Sequence, residues 1–256
     1  LVRQRLRPGV GALSAIGWVS AFLDTDEDRA PEAERFWCAV TGSLLSSRRD
    51  RREEFATLLP PDGDAFLRAQ RVIQSPPGGL HLDLHTDDVP ALAHRAEDLG
   101  ATASYLEEGY VVCGSPGGMT FCVVGHPGSR RPEPAAWPGG RSLVDQVCLD
   151  IPPSRWDSEV AFWEALTGWE RGRQSGEFGR LVRPDSQPLQ MLLQRLDDEQ
   201  PGVTAHLDLG SDDADAEAAR HVALGATEVR RTDGWITLLD PSARPYCVTR
   251  HPVDRD

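Results

Sequence analysis

The sequence contains an internal repeat, and this repeat constrains the fold more than any other feature. The segment His-Leu-Asp-Leu at 81–84 recurs at 206–209, an offset of 125 residues. The same offset relates further segments, and an offset of 126 relates segments near the start of each copy. The further matched segments are 99–102 with 224–227, 109–110 with 234–235, 121–122 with 246–247, 126–127 with 251–252, 36–37 with 162–163 and 41–42 with 167–168. A duplicated domain with one small insertion produces this pattern.

A polar segment rich in proline and glycine separates the two copies. Its sequence, HPGSRRPEPAAWPGGRS, is typical of a linker between domains. With 256 residues, the chain is long enough for two domains of ordinary size. The predicted divisions are an N-terminal tail at 1–15, a first domain at 16–126, a linker at 127–141 and a second domain at 142–252.

Within each copy, the apolar pattern predicts the order strand, helix and three strands, followed by the same order again. In the second copy, residues 143–151 form a short apolar run that is typical of a strand. We expect Ser154 to cap the helix that follows. Residues 203–210 are predicted to form a strand with His206 and Asp208 on one face. Each copy therefore divides into two βαβββ units.

The charge balance disfavours a nucleic-acid partner. Lys and Arg total 27 against 40 Asp and Glu, which gives a formal net charge of −13. Nucleic-acid binding draws much of its affinity from Lys and Arg that neutralise phosphates. The one basic run, at 46–54, is interleaved with acidic residues and is predicted to be a solvated loop.

Cysteine content and hydropathy predict a cytoplasmic protein without a membrane segment. The five cysteines are an odd number with no short paired spacing, so neither a disulfide framework nor a zinc knuckle is expected. No apolar run approaches the ~20 residues that a membrane span needs. The apolar stretch near the start is broken by Gly and Ser and is too short for a signal peptide.

The paired βαβββ units resemble the vicinal oxygen chelate superfamily, which includes the glyoxalase, bleomycin-resistance and extradiol dioxygenase folds. The resemblance depends on Phe-Trp on the first helix, on HLDL and LGAT in the second half, and on Asp240-Pro241 before Tyr246-Cys247. It implies an α+β fold with two tandem glyoxalase-like domains. Each domain would be built from two βαβββ units that form a curved eight-stranded sheet, or cup.

The resemblance also implies positions for metal ligands inside each cup. His81 and His206 occupy one such position. The other positions fall on Ser20 and Gln146 in the first strand, Gln70 and Gln194 in the fourth, and Cys122 and Cys247 in the last. Ser and Gln are poor ligands for a divalent metal, and catalytic zinc sites ordinarily use about three protein ligands. A divalent metal (Zn, Ni, Mn or Fe) therefore stays one alternative, with His81 and His206 as its ligands.

The histidines also have a reading that needs no metal. His81 and His206 alternate with Asp83 and Asp208, and each imidazole is expected to act as a general base or as a hydrogen-bond donor to a ligand. The neighbouring carboxylate would set the tautomer of the ring. The alternative is a structural histidine that bonds to the backbone or to the Asp.

Aromatic residues and cysteines supply the remaining candidates. Trp235 and Tyr110, on the predicted seventh strand of each copy, are expected either to stack on a flat ligand or to join the core. Cys122 and Cys247 lie in apolar strands, where a cysteine is most often a small buried hydrophobe. The tryptophans of the two Phe-Trp pairs are predicted to be core residues, because large aromatic side chains dominate core burial.

Two functions from different classes follow. The first is a small-molecule binding protein of the sequestering or resistance type, which holds an organic ligand in one or both cups. The alternative is a metal-dependent lyase or isomerase of the glyoxalase type that acts on a small carbonyl compound. The departures from the family's ligand pattern favour binding. If one cup alone is functional, we expect the second, and monomer and homodimer are both open.

Overall fold

The computed structural model describes residues 15–105, 109–125 and 128–253. The predicted N-terminal tail lies outside these residues except for its last position. The α-helices are α1 (Ala30–Thr41), α2 (Val89–Asp98), α3 (Trp156–Thr167) and α4 (Ala214–Ala223), and single helical turns lie at Pro77–Gly79 and Pro153–Arg155. Within the described part of the chain, no helix has the length and apolar character that a membrane crossing requires.

The strands fall into two groups that follow the repeat. Those of domain one are β1 (Trp18–Asp26), β2 (Leu44–Leu45), β3 (Phe55–Leu59), β4 (Leu67–Val72), β5 (Leu80–His85), β6 (Thr102–Tyr105), β7 (Val111–Gly114) and β8 (Thr120–Val124). Those of domain two are β9 (Ala135–Trp137), β10 (Gly140–Ile151), β11 (Glu170–Arg171), β12 (Phe178–Val182), β13 (Gln190–Arg195), β14 (Thr204–Ser211), β15 (Thr227–Arg231), β16 (Trp235–Leu239) and β17 (Pro245–Thr249).

Each domain forms its own curved sheet, as the resemblance implied. The first sheet has the order β2-β3-β4-β1-β5-β8-β7-β6, and the second has the matching order β11-β12-β13-β10-β14-β17-β16-β15. In each, the first strand pairs parallel with the fourth strand and antiparallel with the strand that carries the HLDL motif. The predicted α+β fold with two tandem glyoxalase-like domains is confirmed.

The segment predicted to be a linker, 127–141, contains a strand. Strand β9 pairs antiparallel with the start of β10 and adds a ninth strand to the second sheet. Trp137 fixes this strand, because its indole donates to the Ser142 hydroxyl at 2.9 Å and the Arg220 guanidinium lies 3.8 Å from its ring centroid. A stacked cation of this kind contributes about 0.5–1 kcal/mol at an exposed site.

Local residues explain where the helices begin and end. Gly42 and Gly168 follow α1 and α3 with φ of 70°, the left-handed conformation that glycine adopts without steric cost. Asp213 caps α4 by accepting from two backbone N–H groups. Ser154, which was expected to cap α3, instead lies in the preceding single turn and donates to Glu199.

The Phe-Trp pairs are buried, but each contacts the opposite domain. The ring centroids of Trp37 on α1 and Tyr246 of domain two lie 5.1 Å apart. Those of Trp163 on α3 and Phe121 of domain one lie 5.2 Å apart. Both tryptophans are fully buried, which confirms the predicted core role. The two domains thus exchange their first helices and share one hydrophobic core.

Two hydrogen-bonded seams accompany this exchange. Seam one joins α1 to the turn at 240–244, where the Trp37 indole donates to Asp240 at 2.8 Å and Arg244 pairs with the same carboxylate at 2.9 Å. Seam two joins α3 to the turn at 115–119, where Glu159 accepts from the Trp163 indole at 2.8 Å and from the Gly117 N–H at 2.7 Å. Each seam buries a carboxylate with an indole donor.

Candidate functional site

A cavity of about 900 Å³ lies against the concave face of the second sheet. This volume is within the range of small-molecule sites, roughly 300–1,000 Å³. We call this face cup two, and it carries Gln146, Cys148, Asp150, His206 and Asp208. Its wall is mostly from domain two, and domain one closes one side with Pro76, Leu80 and residues 117–120.

An acid on the neighbouring strand holds the imidazole of His206. Nδ1 of His206 lies 2.8 Å from Oδ2 of Asp150, and Nε2 lies 3.3 Å from Oδ1 of Asp208. The antiparallel pairing of β10 with β14 puts Cys148 directly opposite His206, and Asp150 lies two residues further along β10 on the same face. The predicted proximity of Asp208 is correct, but the partner of Nδ1 is Asp150.

The surrounding acids favour the protonated form of this imidazole. Burial opposes protonation, but the acidic groups of Cys148, Asp150 and Asp208 outweigh it and raise the pKa of His206 well above 6.5. Burial raises the pKa of the Cys148 thiol to about 12, although His206 opposes the shift. The thiol beside the ring therefore stays protonated near neutral pH.

The thiols of cup two are not activated. Cys148 is fully buried, and its Sγ lies 3.9 Å from Oε1 of Gln194. Burial also raises the pKa of Cys247, and His206 offsets only part of this effect. A reactive cysteine needs a lowered pKa, so neither thiol is suited to nucleophilic attack, and either one would have to lose its proton to a bound cation in order to ligate it.

Three groups in cup two form a set of metal-ligand atoms. Cys148, His206 and Asp208 each offer one atom, and these atoms lie within 4.8 Å of one another. Among the described residues, Oδ1 of Asp208 accepts no hydrogen bond, and Nε2 of His206 lies 3.3 Å from it. Imidazole, thiolate and carboxylate together suit zinc or iron. The residues therefore fit a divalent metal, with Cys148 in place of the predicted Gln146.

Gln146 lines the cavity beside this set. Its Nε2 lies 3.1 Å from Nε2 of His251, and the same ring nitrogen lies 2.8 Å from Oδ2 of Asp145. A β-bulge in β10 at Asp145 brings this carboxylate next to the ring. The predicted ligand-binding residues Gln146, Gln194, Trp235 and Cys247 all border the cavity, and their roles stay predictions.

Aromatic rings form one wall of cup two. The half-buried Trp235 contacts Phe178 edge to face, with ring centroids 5.5 Å apart at 82°. The sequence pointed to Trp235 but not to Phe178. Tyr110, the counterpart of Trp235 in domain one, lies one residue before β7 rather than on it, and it does not border this cavity.

Domain one repeats the acid–imidazole pair. We call its concave face cup one; it carries Phe22, Asp24, His81, Asp83 and Cys122. Nδ1 of His81 lies 2.6 Å from Oδ2 of Asp24, and Nε2 lies 3.8 Å from Oδ1 of Asp83. Burial opposes protonation of His81, but Asp24 and Asp83 outweigh it and raise the pKa of the ring. Burial raises the pKa of Asp83 to about 6.

The other candidates of domain one are less accessible than their counterparts. Ser20 is fully buried, and its hydroxyl lies 2.7 Å from Nε2 of His85, so it does not face an open space. Cys122 is buried and forms a second potential ligand set with His81 and Asp83. Gln70 is half-buried in β4, opposite Phe55.

The sequence carried a signal for the missed acids. Asp24 and Asp150 lie in the first strands of the two copies, each preceded by Leu, at the offset of 126 that relates the two Phe-Trp pairs. Each Asp also lies on the same strand face as the position two residues before it, Phe22 or Cys148. Comparing the first strands of the two copies would have identified both acids as inward-facing residues.

Comparison with known proteins agrees with this architecture. A family model described as a glyoxalase-like domain matches the chain twice, at 20–124 and at 146–249. A search of curated proteins returned no match.

Solved structures share the fold at low sequence identity. The Mn(II)-bound glyoxalase from Novosphingobium aromaticivorans is 17% identical with a TM-score of 0.62, and the match covers 93% of this chain and 82% of that one. A mutant of 4-hydroxymandelate synthase from Streptomyces coelicolor is 16% identical with a TM-score of 0.57 and 95% coverage of both chains. A xylose isomerase-like TIM barrel/4-hydroxyphenylpyruvate dioxygenase fusion protein is 16% identical with a TM-score of 0.63, and the match covers 98% of this chain.

This chain spans about half of that fusion protein, 52% of its length. At such identities, the likeness to these structures shows the fold alone. The family model provides the stronger argument, because its two matches cover most of the sequence and coincide with the two sheets. The chain belongs to the family of glyoxalase-like domain proteins, within the vicinal oxygen chelate superfamily.

Proposed function

We propose that the protein binds a small organic molecule in cup two, as a sequestering or resistance protein does. The cavity of about 900 Å³ is the observation that carries this proposal. Its wall combines aromatic and aliphatic side chains, Trp235, Phe178 and Leu192, with a few polar groups on the sheet. This composition is typical of a site that excludes water and orients one ligand.

The polar groups of cup two are suited to orienting a ligand. Gln194 and Thr237 border the cavity and are half-buried, so their side chains can meet a polar group of the ligand. His206 is held on one side by Asp150, which fixes the direction of its other ring nitrogen. A ligand hydroxyl or carbonyl would find oriented partners here without any rearrangement of the sheet.

A ligand screen with matched variants tests the proposal. Compounds from a library of small organic molecules are ranked by the rise in melting temperature, and the best is measured by calorimetry. A ligand at 100 times its dissociation constant stabilises a protein by about 2.7 kcal/mol. We expect Trp235→Ala to weaken binding at least about tenfold, or about 1.4 kcal/mol.

Tyr110→Ala is the control, because Tyr110 is the domain-one counterpart of Trp235 and does not border the cavity. This variant should bind like the wild type. Equal losses in both variants, or a library without any stabilising compound, would argue against binding in cup two.

A metal-dependent lyase or isomerase that acts on a small carbonyl compound is the second candidate. The three ligand atoms of Cys148, His206 and Asp208, which lie within 4.8 Å of one another, favour it. A bound metal would polarise a substrate carbonyl. Asp150 would orient His206 as a ligand through the hydrogen bond to its other nitrogen, as carboxylates behind metal-ligating histidines do.

Metal analysis of protein purified without a histidine tag separates the two candidates. The enzyme candidate predicts stoichiometric Zn, Ni, Mn or Fe that is lost in Cys148→Ser. Cys38→Ser is the control, because Cys38 lies on α1, away from both ligand sets. Metal-free protein that still binds an organic ligand would support the binding candidate instead.

A further inference from the structure

Equivalent positions in the two cups carry different side chains. In domain one, Phe22 pairs with Arg68 of β4 and with His81 of β5. In domain two, the corresponding register pairs Cys148 with Leu192 and with His206. Phe22 therefore corresponds to Cys148, and Arg68 to Leu192. By the same register, Phe55 of domain one corresponds to Phe178 of domain two.

The phenyl ring of Phe22 fills the space in front of the cup-one imidazole. It stacks on the His81 ring with centroids 4.6 Å apart and planes 8° from parallel. The Phe55 and Phe22 rings pack edge to face with centroids 6.0 Å apart, and the Arg68 guanidinium lies 5.9 Å from the Phe22 centroid. Phe22 is 6% exposed, so the ring is sealed into the cup.

The counterparts of these side chains leave cup two open. The side chain of Cys148 is too short to cover the face of His206. Phe178 contacts Trp235 at the wall instead of filling the centre, and Leu192 borders the cavity. The cavity of cup two thus lies where the equivalent side chains of cup one meet.

Cup one nevertheless keeps the polar groups of an open site. The Asp24–His81 pair, Asp83 and Cys122 match Asp150–His206, Asp208 and Cys247 position by position. Oδ1 of Asp24 is buried without a hydrogen-bond partner among the described residues, and so is Nε of Arg68. Unpaired buried polar atoms destabilise a fold, so a cup that served only as packing has no physical reason to contain them.

We propose that cup one is a second binding site for the ligand class of cup two, and that Phe22 holds it shut. Phe22 occupies the place that a ligand takes in the open cup, and the residue at this position decides whether a cup is accessible. The ligand class rests on the proposed function of cup two. The closure by Phe22 rests on the geometry of cup one.

Reciprocal exchange of the two residues tests the proposal. The probe is anilinonaphthalene sulfonate, an aromatic dye with one sulfonate group that fluoresces in an apolar cavity, and its stoichiometry is measured by calorimetry. The wild type should bind one dye per chain, Phe22→Cys two and Cys148→Phe none. The double variant should bind one again, in cup one.

Folding controls keep these outcomes distinct, because the dye also binds partly unfolded protein. Each variant must retain the wild-type near-ultraviolet circular dichroism and a cooperative melt. Phe22→Leu is a milder variant that still shortens the side chain, and it should give measurable binding to cup one if Phe22→Cys does not fold. Cys148 is itself buried and does not border the cavity, so a phenyl ring at this position must displace side chains beside it. Cys148→Leu is therefore the milder variant in cup two, and it should lower the dye affinity if Cys148→Phe does not fold.

The outcomes separate this proposal from the function on which it rests. If a folded Phe22→Cys, or Phe22→Leu in its place, binds no more dye than the wild type, cup one is not a closed site. If Cys148→Phe binds dye within about twofold of the wild type, residue 148 does not decide access. If the wild type binds no dye but Phe22→Cys binds one, the closure by Phe22 holds, and the accessibility of cup two, on which its proposed function depends, is contradicted.

Discussion

In seam one, the carboxylate that accepts the hydrogen bond from the tryptophan indole belongs to Asp240, on a turn of the opposite domain. In seam two, it belongs to Glu159, on the same helix as the tryptophan. In the repeat, Asp240 corresponds to Ser115 and Glu159 corresponds to Ala33. The acidic residue therefore lies on the turn in one seam and on the helix in the other. A buried indole N–H needs an acceptor, and either side of the seam can supply it.

The two seams differ in how they balance this buried charge. In seam one, the buried Arg244 pairs with Asp240 and also donates to the carbonyl oxygens of Asp24 and Gly79. In seam two, the counterpart of Arg244 is Met119, and Glu159 is held by hydrogen bonds, with the charge of Arg155 acting on it without a direct ion pair among the described residues. The carboxylate of seam one is therefore paired with a cation, and the carboxylate of seam two is held by hydrogen-bond donors.

The largest effect is expected where the cation is removed. Arg244→Met gives seam one the residue found in seam two, and it leaves Asp240 buried without its counter-charge. Breaking a buried ion pair costs about 3–5 kcal/mol, and we expect a loss of this size in the free energy of unfolding, measured with urea. Met119→Leu is the matched control in seam two and should cost less than about 1.5 kcal/mol. Similar losses in the two variants would contradict the distinction between the seams.

Removing the indole donors tests whether stability depends on the acid lying on the turn or on the helix. Trp37→Phe and Trp163→Phe each delete one hydrogen bond to a buried carboxylate that keeps its other partners. We expect each to lower the free energy of unfolding by about 1–3 kcal/mol, and the two losses to agree within about 0.5 kcal/mol. Chemical denaturation of the two variants measures this directly. A much larger loss for either variant would show that one seam depends on its indole more than the other does.

The smallest effect is a dependence of stability on pH that comes from seam two. Burial raises the pKa of Glu159 above 4.5, although its hydrogen bonds to Ser115, Trp163 and Gly117 oppose the shift. The folded protein therefore binds more protons than the unfolded chain just above pH 4.5, and the contribution of Glu159 to stability falls as the pH rises through that window.

Glu159→Gln removes the titrating group. We expect the difference in the free energy of unfolding between the wild type and Glu159→Gln to favour the wild type less as the pH rises from 4.5 towards neutrality. Urea unfolding of both proteins at a series of pH values measures this difference. A difference that is constant with pH would mean that Glu159 is not strained by its burial.

The repeat predicted two copies of paired βαβββ units, and the resemblance to the vicinal oxygen chelate superfamily supplied the curved sheets that these units form. The repeat was sufficient for His81 and His206, since alternation along a strand fixes which side chains share a face. The acids on Nδ1 were missed because the prediction followed one strand, whereas the partners of each imidazole lie on the neighbouring strand. Strand register determines those contacts, and it cannot be read from the alternation of a single strand.

The sequence could not predict that cup one is filled and cup two is open, for another reason. Phe22 and Cys148 are visible as counterparts once the copies are aligned, but whether a phenyl ring fills a hollow depends on the packing around it. The same holds for Tyr110 and Trp235. The sequence predicts ligand stacking or core packing equally for both, although of the two it is Trp235 that borders the cavity. The amphipathic pattern of a helix shows that one face is buried, but it does not show which sheet covers that face.

The exchange of the first helices has a consequence for dissecting the protein. A fragment cut between the two copies would keep its own sheet but lose the aromatic helix that shields the back of it. Tyr246 would be exposed in the second fragment and Phe121 in the first, each with an empty groove beside it. Such fragments should pair with each other or with themselves, so the single chain behaves as a dimer whose subunits have been fused end to end.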